Sequence, residues 1–117
     1  MTGWHIIRDD RALTLSRHAV PRFDVAAETR FPPLRMLPLA QMIRQDMWRL
    51  LQRLRGFAPV VTVRETETGL HVTAGGSLAC PAPKRHVEAE IRSLLESEDG
   101  RLRWERCARL TQGKGVL

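Results

Sequence analysis

Tyrosine is absent from the 117-residue chain, and aromatic residues make up only 5% of it. Lysine is almost absent too: it occurs at Lys84 and Lys114 alone, so arginine supplies the other seventeen of the 19 basic residues. No apolar run approaches the roughly 18 to 20 residues that a membrane-spanning helix requires. The opening Met1-Thr2-Gly3-Trp4 carries neither the basic flank nor the apolar stretch of a secretory leader. Cysteine is confined to Cys80 and Cys107, which form no CxxC. Two incidental thiols in a reduced, cytoplasmic protein fit this spacing better than a disulfide framework.

Catalytic patterns are missing as well. His5, His18, His71 and His86 are scattered, with no HxxxH or CxxC to gather a metal ion. The serines Ser16, Ser77, Ser93 and Ser97 stand in no GxSxG, so no activated nucleophile is visible. Glu88 with Glu90, and Glu96 with Glu98, are separated by two residues and do not face each other on a helix. The expectation is a non-enzymatic binding module with no catalytic residues, metal or cofactor.

What the chain does have is a core-sized hydrophobic fraction, 43%, and a net charge of +6. These fit one α+β domain over residues 1–110, with a frayed tail at 111–117. The charge is uneven: residues 1–58 carry a net +5 and residues 59–117 only +1. Arginine bias has two sources. Guanidinium is the better fork for phosphate and carboxylate, and a GC-rich bacterial genome favours arginine codons everywhere. The net charge acts on a nearby polyanion in either case.

Residues 3–8 and 12–16 read as a hairpin around Asp9-Asp10-Arg11. Pro21, Pro32, Pro33 and Pro38 mark 21–37 as a Pro-rich, irregular loop, because proline removes backbone donors and restricts its predecessor. A helix follows over 38–55, with Pro38 at its first position and Gly56 as its stop. Its apolar stripe of Leu39, Ile43, Met47, Leu50, Leu51 and Leu54 spans about 120°. Strands at 59–64 and 70–74 flank a loop containing Gly69. Val61, Val63, Leu70 and Val72 share their buried face. A second helix runs over 84–97 on Val87, Ile91, Leu94 and Leu95. From Arg101 to Leu110 the alternation of Leu102, Trp104, Ala108 and Leu110 with charged residues predicts a last strand, broken only by Arg106.

The resulting β-α-β-β-α-β order is that of a ferredoxin-like sandwich, two helices on one face of an antiparallel sheet. Because hairpin, Pro-rich loop and helix occur twice, two ββα units paired within one chain or across a dimer are the alternative. RNA-recognition domains share this order but stack bases on aromatics of their central strands. Leu70-His71-Val72-Thr73-Ala74-Gly75 has none, so a motif of the usual kind is not supported.

The first helix carries the main functional signal. Arg44, Arg49, Arg53 and Arg55, with Arg35 just upstream, oppose only Asp46. They predict contact with nucleic acid or a ribonucleoprotein through phosphate neutralisation. Arginines on a solvated helix face are equally routine. Trp48 lies outside the apolar stripe among arginines and glutamines, placed to stack on a base or to fill a partner's pocket. With Arg35 and the Pro-rich 21–38 segment, it makes a protein–protein adaptor or inhibitor of an acidic partner the alternative. A homodimer through an exposed strand edge is one version of that alternative. Gly75-Gly76, with Lys84 and Arg85 opening the second helix, form a candidate anion site, against an ordinary solvated turn.

Overall fold

The computed structural model describes residues 4–79 and 81–110. The frayed tail expected at 111–117 and the thiol of Cys80 lie outside them. The elements in chain order are β1 (His5–Asp9), β2 (Ala12–Ser16), β3 (Val25–Phe31), α1 (Met36–Leu50), β4 (Ala58–Glu65), β5 (Leu70–Ser77), α2 (Lys84–Glu96) and α3 (Glu98–Cys107). The strands form one antiparallel sheet in the order β1-β2-β4-β5-β3. This is an α+β fold of five strands and three helices. It departs from the ferredoxin-like sandwich in strand number and order, and from paired ββα units by the extra strand β3.

The core follows from the alternation of each strand. Leu13 and Leu15 of β2, Val61 and Val63 of β4, Leu70, Val72 and Ala74 of β5, and Val25, Ala27 and Phe31 of β3 all face one side. The helices cover that side with Leu39, Ala40, Ile43, Met47, Val87, Ile91, Leu95 and Trp104. The opposite face carries Thr14, Thr62 and Thr73 in one rank; the Thr14 and Thr62 hydroxyls are 3.0 Å apart.

Two expected elements are corrected. The Pro-rich loop at 21–37 contains β3, because the prolines bracket the segment Arg22–Phe31 without entering it. Within the segment Val25, Ala27 and Phe31 turn inward with period two, while Glu28 and Arg30 are exposed. Residues 101–110 are not a strand. Trp104 and Ala108, one helical turn apart, are the buried pair, while Leu102 is 60% exposed. Ser97 caps α3 by accepting from the Gly100 N–H, with Glu98 and Asp99 in the first turn.

The boundaries of α1 also move. It starts at Met36, so Pro38 sits inside the first turn, where the missing N–H has no intrahelical acceptor to lose. The helix ends at Leu50, and Gly56 turns the chain into β4 with φ +70°.

The sheet has one covered edge and one open edge. At the β3 edge, Glu88 of α2 accepts the Ala26 N–H at 3.0 Å, and Arg101 of α3 donates to the Arg30 carbonyl. Arg101 also donates to Thr29 Oγ1 at 2.9 Å and lies over the Phe31 ring at 4.0 Å. At the other edge, β1 packs against β2 alone. No helix among the described residues is long and apolar enough to cross a membrane.

Candidate partner-docking groove

The register of the first hairpin sets one wall of a groove. Ile6 pairs with Leu15 and Arg8 with Leu13, so both lie on the helix-bearing side of the sheet. Trp4, two residues before Ile6, continues that row. Since β1 lies beyond β2 and no helix reaches over it, Ile6 remains 46% exposed.

The facing wall is a flank of α1. The Arg44 guanidinium lies 4.6 Å above the centroid of the Trp4 ring, and that of Arg17 lies 5.3 Å away from it. Each such contact is worth about 0.5–1 kcal/mol at a surface site. Trp48 follows Arg44 by one helical turn, on the same flank, and is 48% exposed. Indole, isoleucine and three arginines therefore lie near one another where the first hairpin meets α1.

Its electrostatics are unbalanced. Among the described residues no carboxylate pairs with Arg17 or Arg44. Arg44 Nε is buried without a hydrogen-bond acceptor. Burial, and then the charge of Arg17, holds the Arg44 pKa below its ordinary value. Two guanidiniums gathered on one indole, with no acid beside them among the described residues, make a site that gains from an incoming anion.

The four arginines of the first helix region do not form one track. Arg44 and Arg49 are five residues apart, hence separated by about 140° around the axis. Arg49 instead approaches Asp46 at 3.8 Å. Arg53 and Arg55 are exposed in the turn after α1. Arg35 is not a free partner contact: its backbone N–H donates to the Ala108 carbonyl at 2.8 Å, and its guanidinium to the Cys107 and Arg109 carbonyls at 2.9 and 3.2 Å. A cation on the last carbonyls of α3 is a helix C-terminal cap.

The candidate anion loop is corrected as well. Gly75 and Gly76 lie inside β5, buried against β3 and β4. A Cβ on Gly75 would lie 1.9 Å from the Val25 carbonyl oxygen, so the glycine serves close strand packing. Lys84 and Arg85 are exposed in the first turn of α2, separated from both glycines by residues 78–83. Of the 21–38 segment, residues 25–31 lie in the sheet as β3 and residues 36–38 open α1.

Sequence reasoning singled out Trp48 and Arg44 but missed Trp4, Ile6, Arg8 and Arg17. The available signal was the period-two row Trp4, Ile6, Arg8 in a strand whose partner strand is itself near the sheet edge. Among the described residues, no group of His, Cys, Asp and Glu side chains is arranged to hold a metal ion. An open, mostly apolar furrow of about 390 Å³ is lined by Leu50, His86, Ala89, Glu90, Ser93 and Leu94 between α1 and α2. Compared with known proteins, the chain matches no family model, no curated protein and no solved structure.

Proposed function

We propose that this chain is a protein-binding module, holding an acidic, amphipathic segment of a partner in the groove between β1 and α1. The observation that carries the reading is the half-exposed Trp48 and Ile6 near Arg17 and Arg44, which have no carboxylate partner among the described residues. An apolar partner side chain gains from covering the indole and isoleucine. A carboxylate beside it gains from two guanidiniums held against Trp4, of which Arg44 is partly buried. Contact with nucleic acid is the less favoured reading, since Arg35 caps α3 and Arg49, beside Asp46, lies about 140° around the helix from Arg44, so these arginines form no single track.

The test is fluorescence anisotropy with short labelled peptides in which Leu or Phe alternates with Glu, run beside single- and double-stranded DNA and RNA across salt. The expected result is peptide binding that Trp48→Ala weakens by about 30-fold, the size of an interface hot spot. Arg17→Glu with Arg44→Glu abolishes it while leaving the fold intact. Binding of polynucleotide with a steep salt dependence, lost in Arg53→Glu with Arg55→Glu and indifferent to Trp48→Ala, overturns the reading in favour of nucleic acid. Absence of peptide binding overturns it too.

A further inference from the structure

The two edges of the sheet are treated differently by the rest of the molecule. Glu88 and Arg101 occupy backbone groups of β3, closing that edge to another strand. Among the described residues no side chain is seen to bond the outer backbone groups of β1, and the strand carries no proline, no lysine and no bulge in its five-residue register with β2.

Which groups it offers follows from the ladder. The Glu65 N–H donates to the Arg11 carbonyl, so Arg11 faces β4. Alternation then turns Leu13 and Leu15 toward β4, and Ala12, Thr14 and Ser16 toward β1. Their partners Asp9, Ile7 and His5 spend their backbone groups on β2. Ile6 and Arg8 are left with N–H and C=O directed outward.

We infer that β1 is the interface for a second copy of this chain, the two β1 strands pairing antiparallel about a two-fold axis through Ile7. This inference does not rest on the groove's proposed ligand. In this register Ile6 of each copy meets Arg8 of the other, and the four outward backbone groups of each copy are all used. The Ile7 pair is the closely spaced, non-hydrogen-bonded pair on the axis. On the same face as Ile7, His5 of each copy stands opposite Asp9 of the other, an imidazole–carboxylate pairing made twice by symmetry. On the other face Arg8 of each copy stands opposite the exposed Ile6 of its neighbour. Moving the axis to Arg8 would set two guanidiniums against each other. Moving it to Ile6 would lose both His5–Asp9 pairs. The two five-stranded sheets become one continuous sheet.

Sedimentation equilibrium of the full chain tests this directly, with a monomer–dimer equilibrium expected. His5→Asp, which sets carboxylate against carboxylate at both symmetry-related sites, weakens association by about tenfold or more. The double variant His5→Asp with Asp9→His restores it. In a chain lacking thiols through Cys80→Ser and Cys107→Ser, Ile7→Cys forms an intermolecular disulfide on mild oxidation, because the axial Cα atoms lie about 4.5 Å apart. Ile6→Cys and Arg8→Cys do so far more slowly. A chain that stays monomeric at about 0.5 mM overturns the proposal. So does cross-linking fastest at Ile6→Cys or Arg8→Cys, or failure of the double variant to restore association while circular dichroism shows it folded.

Discussion

Replacing Asp46 by alanine is expected to loosen the attachment of α3 to α1. Trp104 is fully buried, and its indole N–H donates to Asp46 Oδ2 at 2.8 Å. Arg103 donates to the same oxygen, and Arg49 approaches Oδ1 at 3.8 Å. Both arginines are about half exposed or more, so their pairing adds little. The bond to the indole is different, because its donor has no water to fall back on. A hydrogen bond to a charged acceptor is worth about 1.5–3 kcal/mol, and an orphaned buried donor keeps its full desolvation cost. Asp46→Ala should therefore cost about 2–4 kcal/mol, and Asp46→Asn, which retains an acceptor oxygen, about half as much. In a Trp104→Phe background, which has no indole N–H to orphan, Asp46→Ala should cost about 1–2 kcal/mol less than in the parent. Urea unfolding followed by circular dichroism measures the parent and all four variants. In a heating experiment each kcal/mol corresponds to about 3–6 °C at this chain length. If Asp46→Ala and Asp46→Asn both stay within about 0.5 kcal/mol of the parent, the indole–carboxylate bond does not hold α3 in place and the reasoning fails.

Gly75→Ala should cost about 3 kcal/mol or more, since the new Cβ meets the Val25 carbonyl oxygen at 1.9 Å and the Ala26 Cα at 2.8 Å; a urea midpoint unchanged from the parent would contradict that packing. Trp48→Ala should cost less than about 1.5 kcal/mol, because the side chain is half exposed, whereas Trp104→Ala should cost about 3–5 kcal/mol; equal losses in urea titrations would mean the exposed indole is part of the core. Asp24 has its pKa lowered by the Leu78 N–H, which donates to it at 2.7 Å, and then by Arg22. A carboxyl whose folded pKa lies below its unfolded value stabilises the fold above the unfolded value, about pH 4, and loses that contribution as pH falls through the folded one. Asp24→Asn should therefore be less stable than the parent at about pH 6 and converge with it in strong acid, which paired urea titrations at both pH values would check.

How much of this was legible in the chain depends on whether the signal is local. The first helix, the β4–β5 hairpin and α2 stand close to where hydrophobic spacing puts them, and Val61, Val63, Leu70 and Val72 do share the buried face. β3 was hidden because two of its inward residues before Phe31 are Val25 and the small Ala27, a weak period-two signal between strong proline signals. In α3 the exposed Leu102 and, just beyond it, Leu110 alternate with arginines and imitate a strand. The informative residues there were Ser97, Glu98 and Asp99, a helix start. Trp48 was legible as an outlier from the apolar stripe, but the residues that complete its groove were not. Trp4 and Arg44 are forty positions apart, and nothing local relates them.

The amino-acid sequence by itself determined the segments with one apolar face, the location of most turns, and a basic surplus concentrated before residue 59. Those properties depend on side-chain spacing along a few turns of chain, a distance over which backbone geometry is nearly constant. Tertiary structure decided the rest: that β3 crosses over to pair with β5, that Arg35 caps α3 rather than meeting a partner, and that Arg44 lies on Trp4 while Arg49 turns to Asp46. The physical reason is that a charge acts through space and is redirected by whatever the fold brings within a few ångströms. An arginine count therefore gives the net charge, and the packed chain decides which guanidiniums still face outward for a ligand.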